Sequence, residues 1–255
     1  MAIRNKDDAD ELRRRSRLMF FSREVIDTFL ESSTASEVRC VSDLIASELE
    51  VRERNKRTRL YRKAKFPQVK SFEGYDFSQV EFPDGYSEKD LQSLAFVDAA
   101  EDFIFHGQTG RGKTHLAIAI GAACVASGKT VRFFTTAELA LALSRASREC
   151  TLEQLMKDIA KCDLLILDEF GYVPIDVESS RLLFQVISEC YEKRSVIFTT
   201  NIEFNKWGTV LGDDKLAAAL IDRVVHHGRL VEFGGASRRM EEALMLGKGV
   251  GNVAR

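Results

Sequence analysis

A chain of 255 residues, 45% hydrophobic and 30% charged, is long enough for one α/β domain with a smaller attachment. No apolar run reaches the ~18 residues of a membrane span, and the charged start, Met1–Arg17, has no signal-peptide apolar segment. Five scattered cysteines (Cys40, Cys124, Cys150, Cys162, Cys190) without a C-x-x-C pair argue against a zinc ribbon or a disulfide framework and for a reduced cytoplasmic protein.

The net charge of −2 hides an asymmetry. Residues 1–70 hold 17 Lys+Arg against 12 Asp+Glu, so the acidic excess lies in the remainder. Leu18, Phe21, Ile26, Phe29 and Leu30 recur at helical spacing, as do Val41, Leu44, Ile45 and Leu49. A polar break at Ser33–Ser36 separates the two segments, and the second predicts a long helix over about 37–65. Its latter half loses the apolar stripe and becomes basic from Arg52 to Lys65, which fits either a solvated face or a nucleic-acid contact. The aromatic-rich stretch 66–86, with Pro67 and Pro83, reads as a linker laid on a domain surface. Ser87 and Asp90 then open a helix that carries Leu91, Leu94 and Val97.

Strands and helices alternate beyond this point. Strands are expected at 103–105, 131–134, 164–167, 196–199 and 230–233, with helices over 113–127, from Thr135, over 177–193 and over 215–225. Five strands separated by helices predict a parallel sheet covered on both faces. The chain divides into a helical, partly basic domain at 1–66, a linker and lead-in helix at 67–100, an α/β domain at 101–245 and a flexible tail at 246–255.

Gly107-Gln108-Thr109-Gly110-Arg111-Gly112-Lys113-Thr114 fits the G-x-x-x-x-G-K-[ST] pattern between a strand and a helix. Glycines there let successive N–H groups face a phosphate, and the helix N-terminus adds its dipole. Lys113 is placed to reach the β- and γ-phosphates of ATP, and the Thr114 hydroxyl to hold Mg²⁺, with His115 next in the loop. Leu164–Leu167 delivers Asp168 and Glu169 to a strand end, where ligands of parallel sheets collect. Asp168 suits the metal, through water, and Glu169 suits activation of an attacking water.

Asn201 ends the next strand. In a sheet of order 5-1-4-3-2 that end lies between the P-loop strand and the Asp168 strand, so Asn201 is either a turn residue or a ligand of the γ-phosphate or lytic water. Arg223 and Arg239 are candidates for charge stabilisation or for ordinary surface ion pairs. His226 and His227 have no metal-ligand company in the sequence.

These stretches together resemble the IstB-like helper ATPases of bacterial insertion sequences, relatives of the DnaC-type helicase loaders within the AAA+ P-loop NTPases. The shared segments are 64–67 (AKFP), 107–117 (GQTGRGKTHLA), 163–172 (DLLILDEFGY), 191–201 (YEKRSVIFTTN), 204–208 (FNKWG) and 222–228 (DRVVHHG). The resemblance implies that Asn201 is a sensor residue, Arg223 an arginine finger acting on a neighbour's ATP, and Arg239, with Arg238 as its rival, a second sensor. It also implies an ATP-driven ring or spiral of identical subunits on duplex DNA that presents the DNA to a transposase. Of the basic residues near the helical stretch that faces DNA in such assemblies, Arg132, Arg145, Arg148 and Lys157 are the expected phosphate contacts. Gln108 and Arg111 depart from the family's usual loop, and Ser237-Arg238-Arg239 departs from its usual Ser-Tyr-Arg. A helicase loader is the alternative reading; a small-molecule kinase would need an acceptor pocket and a lid, and no segment resembles either.

Overall fold

Residues 6–241 are described by the computed structural model, which falls into two compact units divided between Arg59 and Leu60. The predicted tail from 246 lies outside the described residues. Among them, no helix is long and apolar enough to cross a membrane.

The first unit comprises α1 (Lys6–Leu18), α2 (Arg23–Ser32) and most of α3 (Ala35–Ala64). Leu12, Ile26, Leu30, Val38 and Ile45 form its core. The helical spacing from Leu18 to Leu30 does not make one helix. The chain turns at Phe20, which has φ 60° and is 91% exposed, so Leu18 and Phe21 stay in solvent and the core forms without them. Along α3, Arg52 pairs with Glu48 at 2.7 Å and Arg57 with Glu53 at 3.4 Å, one helical turn apart. The last turn of α3 falls in the second unit. There Leu60, Tyr61 and Ala64 pack on that unit's core, so packing holds the end of a helix whose sequence suggests none.

The second unit is built on β2 (Asp102–Gly107), β3 (Val131–Thr135), β4 (Leu164–Phe170), β5 (Ser195–Thr200) and β6 (Gly228–Phe233), all parallel. Taken as strands one to five, they lie in the expected order 5-1-4-3-2, with β5 between β2 and β4. The sheet nevertheless has six strands. Val80–Glu81, inside the predicted linker, forms β1 and pairs antiparallel with Phe233 and Glu232 on the open edge of β6. Two residues carry no readable alternation, and an exposed edge recruits whatever backbone lies beside it.

Alternate residues serve opposite faces, as the pleat requires. Phe103, Phe105, Leu164, Ile166 and Ile197 join one core, and Ile104, Leu165, Leu167, Val196 and Phe198 the other. The first face is covered by α6 (Lys113–Ala126) and by the segment 66–97. The second is covered by α7 (Thr136–Arg148), α8 (Leu152–Ala160), α9 (Val177–Cys190), α10 (Trp207–Leu211) and α11 (Asp214–His227). Trp207 is fully buried there, its ring 4.3 Å from Phe170 and 5.0 Å from Phe204. The chain returns to the P-loop side in α12 (Arg238–Glu241).

The helix expected from Ser87 starts with the predicted reciprocal cap to Asp90 but breaks into α4 (Glu88–Ser93) and α5 (Ala95–Asp98). Leu94 takes φ 61° at the break, and Leu91, Leu94, Phe96 and Val97 all reach the core. The five cysteines are free; Cys124, Cys162 and Cys190 are buried, which pushes each thiol up to about 12, and Cys40 and Cys150 are exposed.

At the start of β2 the buried Asp102 carboxylate accepts the Val196 N–H at 2.7 Å. Burial pushes its pKa up to about 7, against the pull of that hydrogen bond. Above pH 7 both states are ionised and the fold bears the full cost of the buried charge. As pH falls through 7 the folded carboxyl takes up a proton before the unfolded one, whose reference value is 3.8, so stability rises. Asp102→Asn keeps the acceptor without the charge. Urea unfolding at pH 8 and pH 5 is expected to show wild type gaining on the variant by roughly 2–3 kcal/mol. Parallel behaviour of the two proteins would remove this account.

Candidate functional site

The P-loop joins β2 to α6. Gly107 leaves β2 at φ 149° with its Cα against β6, where a Cβ would lie 2.5 Å from the Phe233 carbonyl oxygen. Gly112, at φ 93°, is the N-cap of α6, and the tyrosine ring of Tyr75 closes over it. Neither position accepts a side chain without strain or displacement.

Lys113 turns inward. Its Nζ donates to the carbonyls of Gly107 at 2.5 Å and Gln108 at 2.8 Å, so the ammonium sits in the loop's own cradle. Burial lowers its pKa to about 8; Asp168 opposes the shift, and Arg111 and Arg239 add to it. The Arg111 side chain is directed elsewhere, to the Phe233 carbonyl at 2.9 Å and to Gln108.

Asp168, 4% exposed at the end of β4, is the convergence point. Its Oδ1 accepts the Thr114 hydroxyl at 2.9 Å and the Thr199 hydroxyl as well. Thr199 in turn accepts the Glu169 N–H at 3.1 Å, and Thr136 donates to the Asp168 carbonyl at 3.0 Å. Thr199 therefore ties the end of β5 to both carboxylate-bearing residues. Thr199, two residues before Asn201, is not among the residues that the sequence singles out; a threonine at that strand end is the available signal. Glu169 has φ 56°, where the β4–β5 register shifts, and its side chain faces the cleft.

The cleft has a volume of about 410 Å³. It is lined by the P-loop with Glu169 and Tyr172, by Pro67, Gln68, Lys70 and Gly74 of the linker, and by Arg238 and Arg239 of α12. The linker is fixed at several points. His115 Nε2 lies 3.1 Å from the Ser71 carbonyl, and the Tyr75 hydroxyl lies 3.4 Å from that of Gly112. The hydroxyls of Thr109 and Tyr172 lie 3.3 Å apart. These linker residues were not among the sequence candidates, because nothing local in 66–86 shows which surface it covers.

The cleft fits a nucleoside polyphosphate with a hard divalent cation. Helix-end N–H groups and a buried amine suit the phosphates. The Thr114 hydroxyl, hydrogen-bonded to Asp168 at 2.9 Å, is placed to take a hexacoordinate Mg²⁺ that Asp168 would hold through water.

The remaining candidates are distributed unevenly. Asn201 is exposed just beyond β5, between the P-loop strand and β4. Arg239 lines the cleft, and its guanidinium makes no ion pair among the described residues, whereas Arg238 lies over the Tyr75 ring and donates to the Asp76 carbonyl. Arg223 is outside the cleft on α11, donating to the Ala219 carbonyl at 2.8 Å and stacked over Phe184. Arg145 and Arg148 are exposed in the last turn of α7, and Lys157 on α8 pairs with Glu153 at 2.5 Å. Arg132 is different: 7% exposed, paired with Asp158 and stacked on Phe134, it is not presented to a phosphate. Its place in β3, whose side chains are buried on both faces, is the reason.

A family model described as IstB-like ATP binding protein matches residues 17–245. The ATP-binding protein of insertion sequence IS232 from Bacillus thuringiensis subsp. berliner is 39% identical over 222 residues, 86% of this chain and 87% of that protein. That of IS5376 from Geobacillus stearothermophilus is 38% identical over 183 residues, 72% and 73% of the respective chains. The AMPPCP-bound DnaA from Aquifex aeolicus superposes with a TM-score of 0.53 over 75% of this chain and 58% of that one, at 19% identity, a likeness of fold.

Two outcomes follow from the geometry. Thr199→Val removes both hydroxyl contacts and is expected to weaken Mg²⁺-dependent nucleotide binding about tenfold, while Thr199→Ser retains it, as titration with a fluorescent ATP analogue would read. Equal binding by all three proteins would remove the bridging role. Because Lys113 loses its proton near pH 8 in the free site, wild-type affinity should fall as pH rises from 7 to 9.5. A flat profile would contradict that.

Proposed function

The chain belongs to the family of IstB-like ATP binding proteins, an AAA+ fold of flanked, mostly parallel strands, and from that premise we propose that it is a Mg²⁺-dependent ATPase of transposition. In this reading it works in the bacterial cytoplasm, assembles with ATP on duplex DNA as a ring or spiral, and delivers that DNA to a transposase encoded by the same element. The names of its relatives, ATP-binding proteins of insertion sequences, support the process. The observation that carries the enzymatic part is the convergence of Thr114, Asp168 and Thr199 beside Glu169.

Lys113 leaves its internal carbonyls to neutralise the β- and γ-phosphates, with the α6 N-terminus holding the others. Thr114, and Asp168 through water, would hold Mg²⁺, which would supply charge neutralisation at the phosphates. Glu169 accepts a proton from the attacking water, and Asn201 orients that water or the γ-phosphate. Arg239 adds positive charge from α12 within the same cleft.

Arg223 completes the site from a neighbouring subunit. Its position on α11, outside the cleft of its own chain, supports a role in trans and makes hydrolysis depend on assembly. The DNA contacts assigned to this protein rest on exposed Arg145, Arg148 and Lys157, which neutralise phosphates without reading bases, so affinity falls with salt by a slope of about 0.9 per phosphate contact.

Sedimentation with random duplex, single-stranded DNA or neither, with and without ATP, tests the reading together with three variants. Large ATP-dependent assemblies on duplex of any sequence are expected. Lys113→Ala should lose nucleotide binding and assembly together. Glu169→Gln should retain ATP, persist on DNA and turn over at least about a hundredfold more slowly. Arg223→Ala should bind ATP normally and lose roughly a thousandfold or more in turnover. Assembly on single strands alone would favour a helicase loader, and full turnover by a verified monomer would end the in-trans role.

A further inference from the structure

The His226–His227 pair, without ligand company in the sequence, acquires it in the fold. α11 ends at His227, and the turn between α9 and β5 carries Glu192 to meet it, with His227 Nε2 3.1 Å from Glu192 Oε1. A ring nitrogen of each histidine and a carboxylate oxygen of Glu192 all lie within 4.8 Å of one another. Two ligands on a tetrahedral zinc with ~2.0–2.1 Å bonds stand about 3.3 Å apart, so the His227–Glu192 pair is already near its place.

Both rings are held. The Tyr191 hydroxyl lies 3.0 Å from His226 Nδ1, and the Tyr191 ring meets His227 edge-on with centroids 5.0 Å apart. An outer partner that fixes the imidazole is the usual companion of a metal-ligating histidine. The C-terminal end of a helix also favours positive charge.

We propose that Glu192, His226 and His227 form a site for Zn²⁺ or a similar borderline transition-metal ion, with three protein ligands and a fourth position open to solvent. Imidazole nitrogens and one carboxylate select such an ion over Mg²⁺ or Ca²⁺, which take oxygen ligands. The ion clips the turn after α9 to the end of α11, one helical turn beyond Arg223. The site is separate from the cleft and does not depend on ATP hydrolysis.

Tag-free, full-length protein in excess Mg²⁺ is titrated with Zn²⁺ by calorimetry and with Co²⁺ by visible absorption. One equivalent of Zn²⁺ and the strong bands of tetrahedral Co²⁺ are expected. Both should vanish in the double variant His226→Ala/His227→Ala. Glu192→Gln should weaken Zn²⁺ by at least the roughly tenfold that even an outer-shell change costs. His106→Ala should bind as wild type does; His106 lies 3.8 Å from Glu232 and is the control for a histidine beside a carboxylate. Nucleotide binding by each variant reports that it is folded. Absence of saturable binding in wild type, which would leave a plain His–Glu contact, overturns the proposal. Undiminished binding in the double variant does so too.

Discussion

A carboxylate buried near the end of a strand in which only Glu169 is exposed must be partnered, or its desolvation works against the fold. Asp168 meets that requirement with hydroxyls from two other elements, Thr114 at the head of α6 and Thr199 at the end of β5. Each contact fixes something beyond itself. Thr114 ties the P-loop helix to β4, and Thr199, accepting the Glu169 N–H, ties β5 to the neighbouring acid. The pairing of β5 with β4 makes this network possible, since it sets Thr199 beside both Asp168 and Glu169. Fold and site thus share one set of hydrogen bonds.

The rest of the cleft's lining is assembled from parts far apart in sequence. The linker reaches the P-loop through Ser71 and Tyr75, and α12 returns to it through the Arg238 N–H, which donates to the Gly110 carbonyl at 3.0 Å. Arg238 then bridges back to the linker at Asp76 and over Tyr75. β1 and β6 run alongside, so the same two chain segments that enclose the cleft also close the sheet edge. Shifts of the linker are consequently coupled to the backbone around Gly110 and Gly112.

What was legible in the sequence is what contiguous residues determine. The P-loop, the apolar strand ending in Asp168-Glu169 and the caps at Ser87 and Thr135 each carry their geometry within a few residues, and all formed as read. The five parallel strands were legible too, through alternation with helices, which does not by itself fix their order. Non-local competition decided the rest. Leu94 gives up helical geometry so that four apolar side chains reach one core, and Phe20 does the reverse, staying in solvent. Arg132 looked like a surface cation, but its strand is buried on both faces and Asp158 was waiting for it. Glu192 lies 35 positions from His227, and only the packing of α9 against α11 brings them together.

The distribution of thiols has a practical consequence. Three cysteines are sealed in the second unit with pKa values near 12, where the nucleophilic thiolate is scarce at ordinary pH. Cys40 and Cys150 remain at the surface, one in each unit. The unmodified chain therefore carries a natural pair of attachment points for spectroscopic probes, one on each side of the Arg59–Leu60 division. A donor and acceptor introduced there would report the separation of the two units as nucleotide and DNA are added, with no residue of the cleft altered.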